Sequence, residues 1–149
     1  MDYEAVRAGL EQAIPFNRHV GLEILEAGPE RGVVRLPEAD HLKNHVGSQH
    51  AAALFAAAEA ASGAAFVGAF ADLLGDVTPL AKSAEIAYRR VARGPITATA
   101  SVANAEALRG ELRESGRLEF PVRVALRDGE GNEVAEVTVS WHVRANQPA

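Results

Sequence analysis

The chain has 149 residues, 48% of them hydrophobic and 23% charged, which is typical of a soluble globular protein and fits a single domain over residues 1–149. Its net charge of −5 argues against sequence-independent binding of nucleic acid, and the absence of cysteine excludes disulfides, thiolate metal sites and cysteine nucleophiles. The chain begins Met-Asp-Tyr-Glu, unlike the basic start of a secretory signal peptide, so we expect a cytoplasmic protein.

The first third of the chain predicts a helix followed by a β-hairpin. Residues 2–13 carry apolar side chains at helical spacing and predict a short amphipathic helix that ends near Pro15. Residues 21–36 alternate between apolar and polar side chains on either side of a Gly-Pro-Glu-Arg-Gly turn signal, the pattern of two paired strands. A loop follows over residues 37–47.

A long helix is predicted from about Ser48 to about Leu74. Its first half is mostly alanine, the residue with the highest helix propensity. The segment is about as long as a membrane span, but it contains two glycines and the charged Glu59. We therefore expect a buried helix of a soluble protein and no membrane partner.

Glu59 is the most informative residue of this helix. Helical spacing puts it on one face with the aromatic residues Phe55 and Phe66, so the face is expected to point inward. A buried carboxylate is costly unless it is paired, neutralised or used in chemistry. We predict that Glu59 is functional; the alternative is a structural acid bonded to Asn44 or His50.

The second half of the chain predicts four strands. Each alternates apolar and polar side chains, so each has one face for a core. The strands lie near residues 80–91, 96–102, 118–127 and 137–144. Pro121 cannot donate a ladder hydrogen bond and is expected at an edge or bulge. The order helix, two strands, long helix, four strands predicts an α+β fold whose antiparallel sheet covers the long helix.

Polar residues cluster where the long helix begins, from Asn44 to His50. The first backbone N–H groups of a helix have no partner within the helix, and the helix dipole is positive there. Such a helix start is suited to an oxygen that carries or develops negative charge. The cluster therefore predicts a site for an oxyanion.

Three features of this region match a known motif: an asparagine, a His-Gly-Gly that opens a central helix, and an acidic residue nine positions after the histidine. Asn44, His50-Ala51-Ala52 and Glu59 fall on these marks. With the order of elements over nearly the whole chain, the sequence resembles the hotdog-fold acyl-CoA thioesterases of the phenylacetate-degradation type. The resemblance implies a hotdog fold, an antiparallel sheet wrapped around a long central helix. The chain departs from the motif where two alanines replace the two glycines.

The resemblance also implies a mechanism. Backbone N–H groups of Ala51 and Ala52 would polarise a thioester carbonyl, and Glu59 would activate water as general base or attack directly. Asn44 would hold the water or the carboxylate, and His50 is a third candidate for catalysis. Asn44 and His50 each have a structural alternative, because asparagine caps turns and histidine caps helices.

In hotdog proteins the site forms between two subunits, so we expect a homodimer that pairs again into a tetramer. The strand from Leu80 to Val91 would be the dimer edge, because an unpaired strand edge is a liability that a dimer removes. Ser83 or neighbouring residues of the partner would complete the site.

Acyl-CoA is the substrate that the resemblance implies, with coenzyme A as part of the substrate and no separate cofactor. Arg89, Arg90 and Arg93 are candidates for its phosphates, because the arginine fork suits phosphate oxygens; the alternative is a solvated strand end. Phe55 is expected to line the acyl pocket. The sequence does not indicate which acyl group the substrate carries.

Two other functions remain open. A non-catalytic hotdog module that binds acyl thioesters is favoured by the alanine pair. A hotdog hydratase needs an acid and a histidine presented together; Asp40 and His41 are adjacent, but no acid follows His50 at the hydratase spacing. His41, His45 and His50 lack nearby carboxylates, so no metal site is expected.

Overall fold

Six strands form one antiparallel sheet around a central helix in the computed structural model, which describes residues 1–147. The strand order is β1-β2-β4-β5-β6-β3. The strands are β1 Glu23–Ala27, β2 Arg31–Leu36, β3 Val77–Tyr88, β4 Ile96–Ser101, β5 Arg117–Arg127 and β6 Glu133–Ala145. The helices are α1 Tyr3–Ala13, α2 Pro15–Val20, α3 Ala51–Ala69 and α4 Ala105–Ser115, with 3-10 turns at Asp40–Leu42 and Ala71–Asp76. The predicted α+β arrangement is confirmed.

The central helix α3 packs against the sheet and contacts β2, β4 and β5 most extensively. By length and composition it is apolar enough to cross a membrane, with a mean hydropathy of 1.5. Most of its surface is nevertheless buried within the fold, so it is the core helix of a soluble-type α+β protein. It ends at Ala69 rather than near Leu74, because a 3-10 turn takes over at Ala71.

Two glycines let α3 approach the β1–β2 hairpin closely. A methyl group at Gly32 would overlap the backbone of Ala61 and Ala65 in α3. A methyl group at Gly68 would overlap the backbone of the hairpin turn at Gly28. Both positions therefore require glycine for packing, which fixes the distance between helix and hairpin.

Pro121 lies on the internal strand β5 rather than on an edge strand. The neighbouring strand β4 ends at Ser101, which is paired with Arg123. Pro121 therefore lies beyond the end of β4 and is paired on one side only, with Ser140 of β6. The expectation of an edge position is correct locally, although the strand as a whole is central.

The two edges of the sheet differ. At the β1 edge, side chains of α1 cover the backbone of Ile24: Arg7 Nη1 donates to its carbonyl oxygen at 2.9 Å, and its N–H donates to Glu11 Oε2 at 3.2 Å. At the β3 edge, the strand is paired only with β6, and Leu80 is 60% exposed. Within residues 1–147, β3 is the edge that no helix covers.

Candidate active site

Glu59 lines a cavity of about 170 Å³, which we call the carboxylate cavity. The walls come from α1, α2, β1, the middle of α3, and the ends of β3 and β6. The lining residues are Leu10, Ile14, Asn17, Ile24, Glu59, Ala60, Gly63, Phe66, Val67, Leu74, Pro79 and Trp141. Glu59 is the one charged side chain among these described residues, so its carboxylate faces an apolar space.

The carboxylate of Glu59 has no bonding partner among the described residues. Its side chain is partly buried and makes no hydrogen bond or ion pair with any of residues 1–147. Burial raises the pKa of Glu59 above its ordinary value near 4.5, because desolvation disfavours the charged form. The structural alternative, a carboxylate bonded to Asn44 or His50, is not the arrangement found.

Ser62 and Trp141 fix the wall beside Glu59. Ser62 Oγ donates to the carbonyl oxygen of Glu59 at 2.7 Å and accepts from Trp141 Nε1 at 3.2 Å. The indole also stacks on Phe66, with ring centroids 5.5 Å apart. These contacts tie β6 to the turn of α3 that carries the carboxylate, which preorganises the cavity.

Asn17 is a site residue that the sequence reasoning missed. It lies on α2, is 8% exposed and lines the carboxylate cavity. Its side-chain amide forms no hydrogen bond within residues 1–147, so it is available to a water molecule or ligand there. Its one signal in the sequence is a polar residue shortly after Pro15, where the sequence predicts the end of a helix or a turn. Pro15 opens α2, as proline does at a first helical position.

A second cavity, of about 410 Å³, lies at the start of α3, and we call it the helix-start cavity. It is formed by the loop before α3, the first turn of the helix and the end of β3. The lining residues are Asn44, Val46, Ser48, Gln49, Ala51, Leu54, Tyr88, Arg89, Arg90, Val91 and Ala92. Part of the predicted polar cluster (Asn44, Ser48 and Gln49) and two of the predicted arginines therefore share one cavity.

Asn44 shapes the loop before α3. Its Oδ1 accepts hydrogen bonds from the N–H groups of Val46, at 3.0 Å, and Ser48, at 3.1 Å. Its Nδ2 donates to Ser48 Oγ at 2.9 Å. These bonds use most of its hydrogen-bonding capacity, so Asn44 shapes the loop before α3; within residues 1–147 it makes no hydrogen bond to the Glu59 carboxylate.

His50 is the N-cap of α3, and its Nδ1 accepts from the N–H of Ala52 at 2.9 Å. Of the two predicted oxyanion donors, the N–H of Ala52 is therefore already used in this hydrogen bond. The N–H of Ala51 forms no hydrogen bond within the described residues, and Ala51 lines the helix-start cavity. Tyr88 donates its hydroxyl to the carbonyl oxygen of Ala51 at 3.1 Å, which anchors the end of β3 to this turn.

The predicted substrate-binding residues do not share one cavity. Arg89 and Arg90 line the helix-start cavity, and Arg89 also pairs with Glu136 at 3.2 Å. Arg93 is exposed and lines neither cavity, and Ser83 is exposed on the free edge of β3. Phe55 is partly buried against the core and lines neither cavity.

The histidines near the helix start are exposed, and one of them has a structural task. His41 and His45 lie on the surface of the loop, and His50 is engaged as the helix cap. Among residues 1–147, no group of three or more His, Asp or Glu side chains is arranged to hold a metal ion.

Within one chain the two halves of the predicted site are apart. Glu59 follows Ala51 by eight residues, which is about 12 Å along the helix axis. A reacting carbonyl must lie about 3 Å from both the attacking group and the oxyanion donor. The carboxylate and the open N–H group therefore cannot serve the same carbonyl within one chain.

Comparison with known proteins identifies the family. Residues 3–143 match the family described as Domain of unknown function (DUF4442). A protein of unknown function from Pseudomonas aeruginosa, PA5026, described as a probable thioesterase, is 31% identical over 96% of this chain and 95% of that chain, with a TM-score of 0.85. A comparison with curated proteins finds no significant match.

Two more distant structures share the fold. The PaaI protein of the phenylacetic acid degradation operon of E. coli is 17% identical, over 96% of this chain and 93% of that chain, with a TM-score of 0.74. A mutant of a hypothetical thioesterase from Streptococcus pneumoniae is 19% identical, over 85% of this chain and 92% of that chain, with a TM-score of 0.66. The chain therefore belongs to the DUF4442 family, and its fold is that of the hotdog thioesterase-like proteins of the phenylacetate-degradation type.

Proposed function

We propose that the protein hydrolyses acyl-CoA or a related acyl thioester, with Glu59 as general base or nucleophile. The observation that carries the proposal is the unpartnered carboxylate of Glu59 in an apolar cavity of the central helix. A carboxylate whose pKa is raised by burial is a stronger proton acceptor than an exposed one. The probable-thioesterase description of PA5026, the 31% identical relative, supports the same reaction class.

The general-base route needs one carboxylate and one oxyanion donor. Glu59 accepts a proton from water, and the water oxygen bonds to the carbonyl carbon. The N–H of Ala51, with the positive end of the α3 dipole, stabilises the oxyanion. The C–S bond then breaks, and the thiolate takes the proton back from Glu59. In the direct route, the Glu59 carboxylate bonds to the carbonyl carbon and the C–S bond breaks, so that the coenzyme A thiolate leaves and takes a proton from solvent. Water then hydrolyses the resulting anhydride, which releases the acid and restores Glu59.

The complete site in this proposal is made by two chains. The distance between Ala51 and Glu59 within one chain requires that each carbonyl meet the helix start of one chain and the carboxylate of another. Pairing of two β3 edges about a two-fold axis would join the sheets and run the two central helices antiparallel. Ser83, exposed on β3, would then lie at the junction. Further pairing of dimers gives the expected tetramer.

The helix-start cavity is suited to the coenzyme A part of the substrate. Arg89 and Arg90 line it, and guanidinium groups bind phosphate oxygens by charge-assisted hydrogen bonds. Arg93 lies a few residues further along the same exposed segment. Coenzyme A enters in this scheme as part of the substrate, and the reaction needs no other cofactor.

The experiment is a hydrolysis screen over short, long and aromatic acyl-CoAs with a free-thiol readout, on the parent and on Glu59→Gln. We expect the variant to fold and to lose at least about a hundredfold in kcat, the usual scale for a general base. Glu114→Gln, which changes an exposed acid on α4, is the matched control and should retain parent activity. Equal activity of Glu59→Gln and parent would overturn the assignment.

A non-catalytic module that binds acyl thioesters is the second candidate. It is favoured by one observation, the hydrogen bond that ties the Ala52 N–H to His50 and leaves one open donor at the helix start. This candidate predicts that the parent binds acyl-CoA in calorimetry but releases no thiol from any substrate of the screen. Thiol release that depends on Glu59 excludes it.

A further inference from the structure

Gly63 is an unusual residue for its position. It lies one turn after Glu59 on the same face of α3, in a segment where alanine occupies most positions. Glycine in a helix interior is less favourable than alanine, because it loses more conformational freedom on folding. Helix propensity therefore does not explain a glycine at position 63.

Packing does not supply that reason. Gly32 and Gly68 must be glycine, because a methyl group at either would overlap backbone atoms. A methyl group built at Gly63 meets no atom within 4 Å. Gly63 also lines the carboxylate cavity, so the open space beside it is the cavity itself. The missing side chain enlarges the cavity next to the carboxylate.

The size and chemistry of the cavity define what can occupy it. Its volume is about 170 Å³, and its walls beyond Glu59 are mainly aliphatic and aromatic. An apolar protein cavity of about 150 Å³ accommodates one benzene molecule, which has six carbon atoms. Phosphate groups are excluded by the Glu59 carboxylate and the lack of cationic lining residues among those described, whereas an uncharged hydrocarbon group fits.

We propose that the carboxylate cavity receives the acyl tail of the thioester and that Gly63 sets the length of tail it accepts. The substrates are then thioesters of acyl groups of about six to eight carbons or with a single ring, rather than long-chain acyl groups. This inference rests on the proposed function in one respect: the carbonyl must lie near Glu59, so that the tail extends past Gly63. Gly63 is thus a specificity-determining residue.

The test measures kcat/KM for straight-chain acyl-CoAs from acetyl to dodecanoyl on the parent, Gly63→Ala and Gly63→Leu. The parent should prefer chains of about six to eight carbons. Gly63→Leu should shift the preference to shorter chains and lose at least about tenfold on the best parent substrate, while acetyl-CoA hydrolysis is retained. Gly63→Ala should shift the preference in the same direction by less, and it guards against misfolding because alanine favours the helix.

Gly110→Leu is the matched control. Gly110 lies within α4, is partly exposed like Gly63, and also has no atom within 4 Å of an added methyl group, but it lines neither cavity. This variant should keep the parent chain-length profile. A shift as large as that of Gly63→Leu would mean that the profile reports helix destabilisation, which would overturn the inference.

A second readout separates this inference from the proposed hydrolysis. Binding of non-hydrolysable acyl-CoA thioethers of the same chain lengths is measured by calorimetry on the same variants. A parent that hydrolyses nothing but whose chain-length-dependent affinity shifts in Gly63→Leu supports the acyl cavity and refutes hydrolysis. Glu59-dependent hydrolysis with unchanged chain-length profiles in Gly63→Leu refutes the role of Gly63 and leaves the function standing.

Discussion

The helix-start cavity and the carboxylate cavity lie along the same helix but differ in chemistry. The first is larger and more polar than the second, and Ala51, Arg89 and Arg90 are among its lining residues. The second is narrow and apolar, with the carboxylate of Glu59 as its charged group. The first suits an anionic and polar group, and the second suits an uncharged hydrocarbon group.

In the proposed function, one helix carries two complementary half-sites. The two arginines and the helix dipole favour negative charge at the start of α3. Two turns further, desolvation makes a negative charge unfavourable and raises the pKa of Glu59. In the proposed mechanism neither half is a complete catalytic site in one chain, since about 12 Å of helix separates them. Variants that affect one cavity and not the other can break or sharpen this division.

Among changes at the helix-start cavity, the largest effect is expected from Ala51→Val. The larger side chain would block a carbonyl from the helix-start cavity without removing the backbone donor, and we expect kcat/KM to fall about a hundredfold. Ala52→Val is the matched control, because Ala52 is also exposed but lines neither cavity and its N–H is bonded to His50. Steady-state kinetics should show a much smaller change for Ala52→Val. The reverse order would move the oxyanion site to Ala52.

Removing the two arginines is expected to have a smaller effect. Replacing Arg89 and Arg90 together by glutamine should raise KM for acyl-CoA about tenfold, the scale of one lost charged hydrogen bond. A thioester of a short thiol without phosphates should be hydrolysed as by the parent. Arg93→Gln, outside both cavities, is the control. An equal loss with both kinds of substrate would contradict phosphate binding in this cavity.

The pH dependence should report on the carboxylate cavity alone. As the base, Glu59 must be ionised, so kcat/KM should fall as pH decreases through a pKa that lies above the ordinary value near 4.5.

The stability of the fold should change with pH in the direction opposite to the activity. The pKa of Glu59 is higher in the folded protein than in the unfolded chain. The protonated carboxyl therefore contributes stability below about pH 4.5, and this contribution is lost as pH rises through the folded-state pKa. Thermal unfolding of Glu59→Gln should therefore show a Tm advantage over the parent that grows with pH; a constant difference would contradict a desolvated Glu59.

The smallest effect concerns stability at Gly63. Gly63→Ala should raise the free energy of unfolding by up to about 1 kcal/mol, because alanine favours a helix and the added methyl group meets nothing within 4 Å. Gly32→Ala should destabilise the protein, since its methyl group would overlap the backbone of α3. Urea unfolding measures both. A destabilising Gly63→Ala would show that the space beside Gly63 is filled.

The sequence predicted the fold from short-range patterns. Alternation in the second half gave the strands, the alanine-rich segment gave the central helix, and the element order gave the α+β class. At Pro15 the sequence predicts the end of a helix or a turn, and α1 does end at Ala13. Proline also suits the first position of a helix, and Pro15 opens α2 there. The short helix α2, with Asn17, was lost for that reason.

The site was predicted less completely, because its residues are brought together by tertiary contacts. The inward face of Glu59 followed from helical spacing, and the structure confirms a partly buried carboxylate. The Trp141–Ser62 hydrogen bond joins residues 79 positions apart, which no local pattern shows. The motif Asn44, Ala51, Glu59 is close in sequence, yet a straight helix places its last member in a different cavity.

Mixed dimers test most directly whether two chains complete one site. Glu59→Gln and Ala51→Val are each expected to be inactive as homodimers. In a dimer of the two, one site combines the intact helix start of the first chain with the intact Glu59 of the second. With equal co-expression and random pairing, about half of the dimers are mixed, and each mixed dimer has one working site out of two. The mixture should therefore recover about a quarter of the parent activity. No recovery in verified mixed dimers would show that the site lies within one chain, contrary to the division described here.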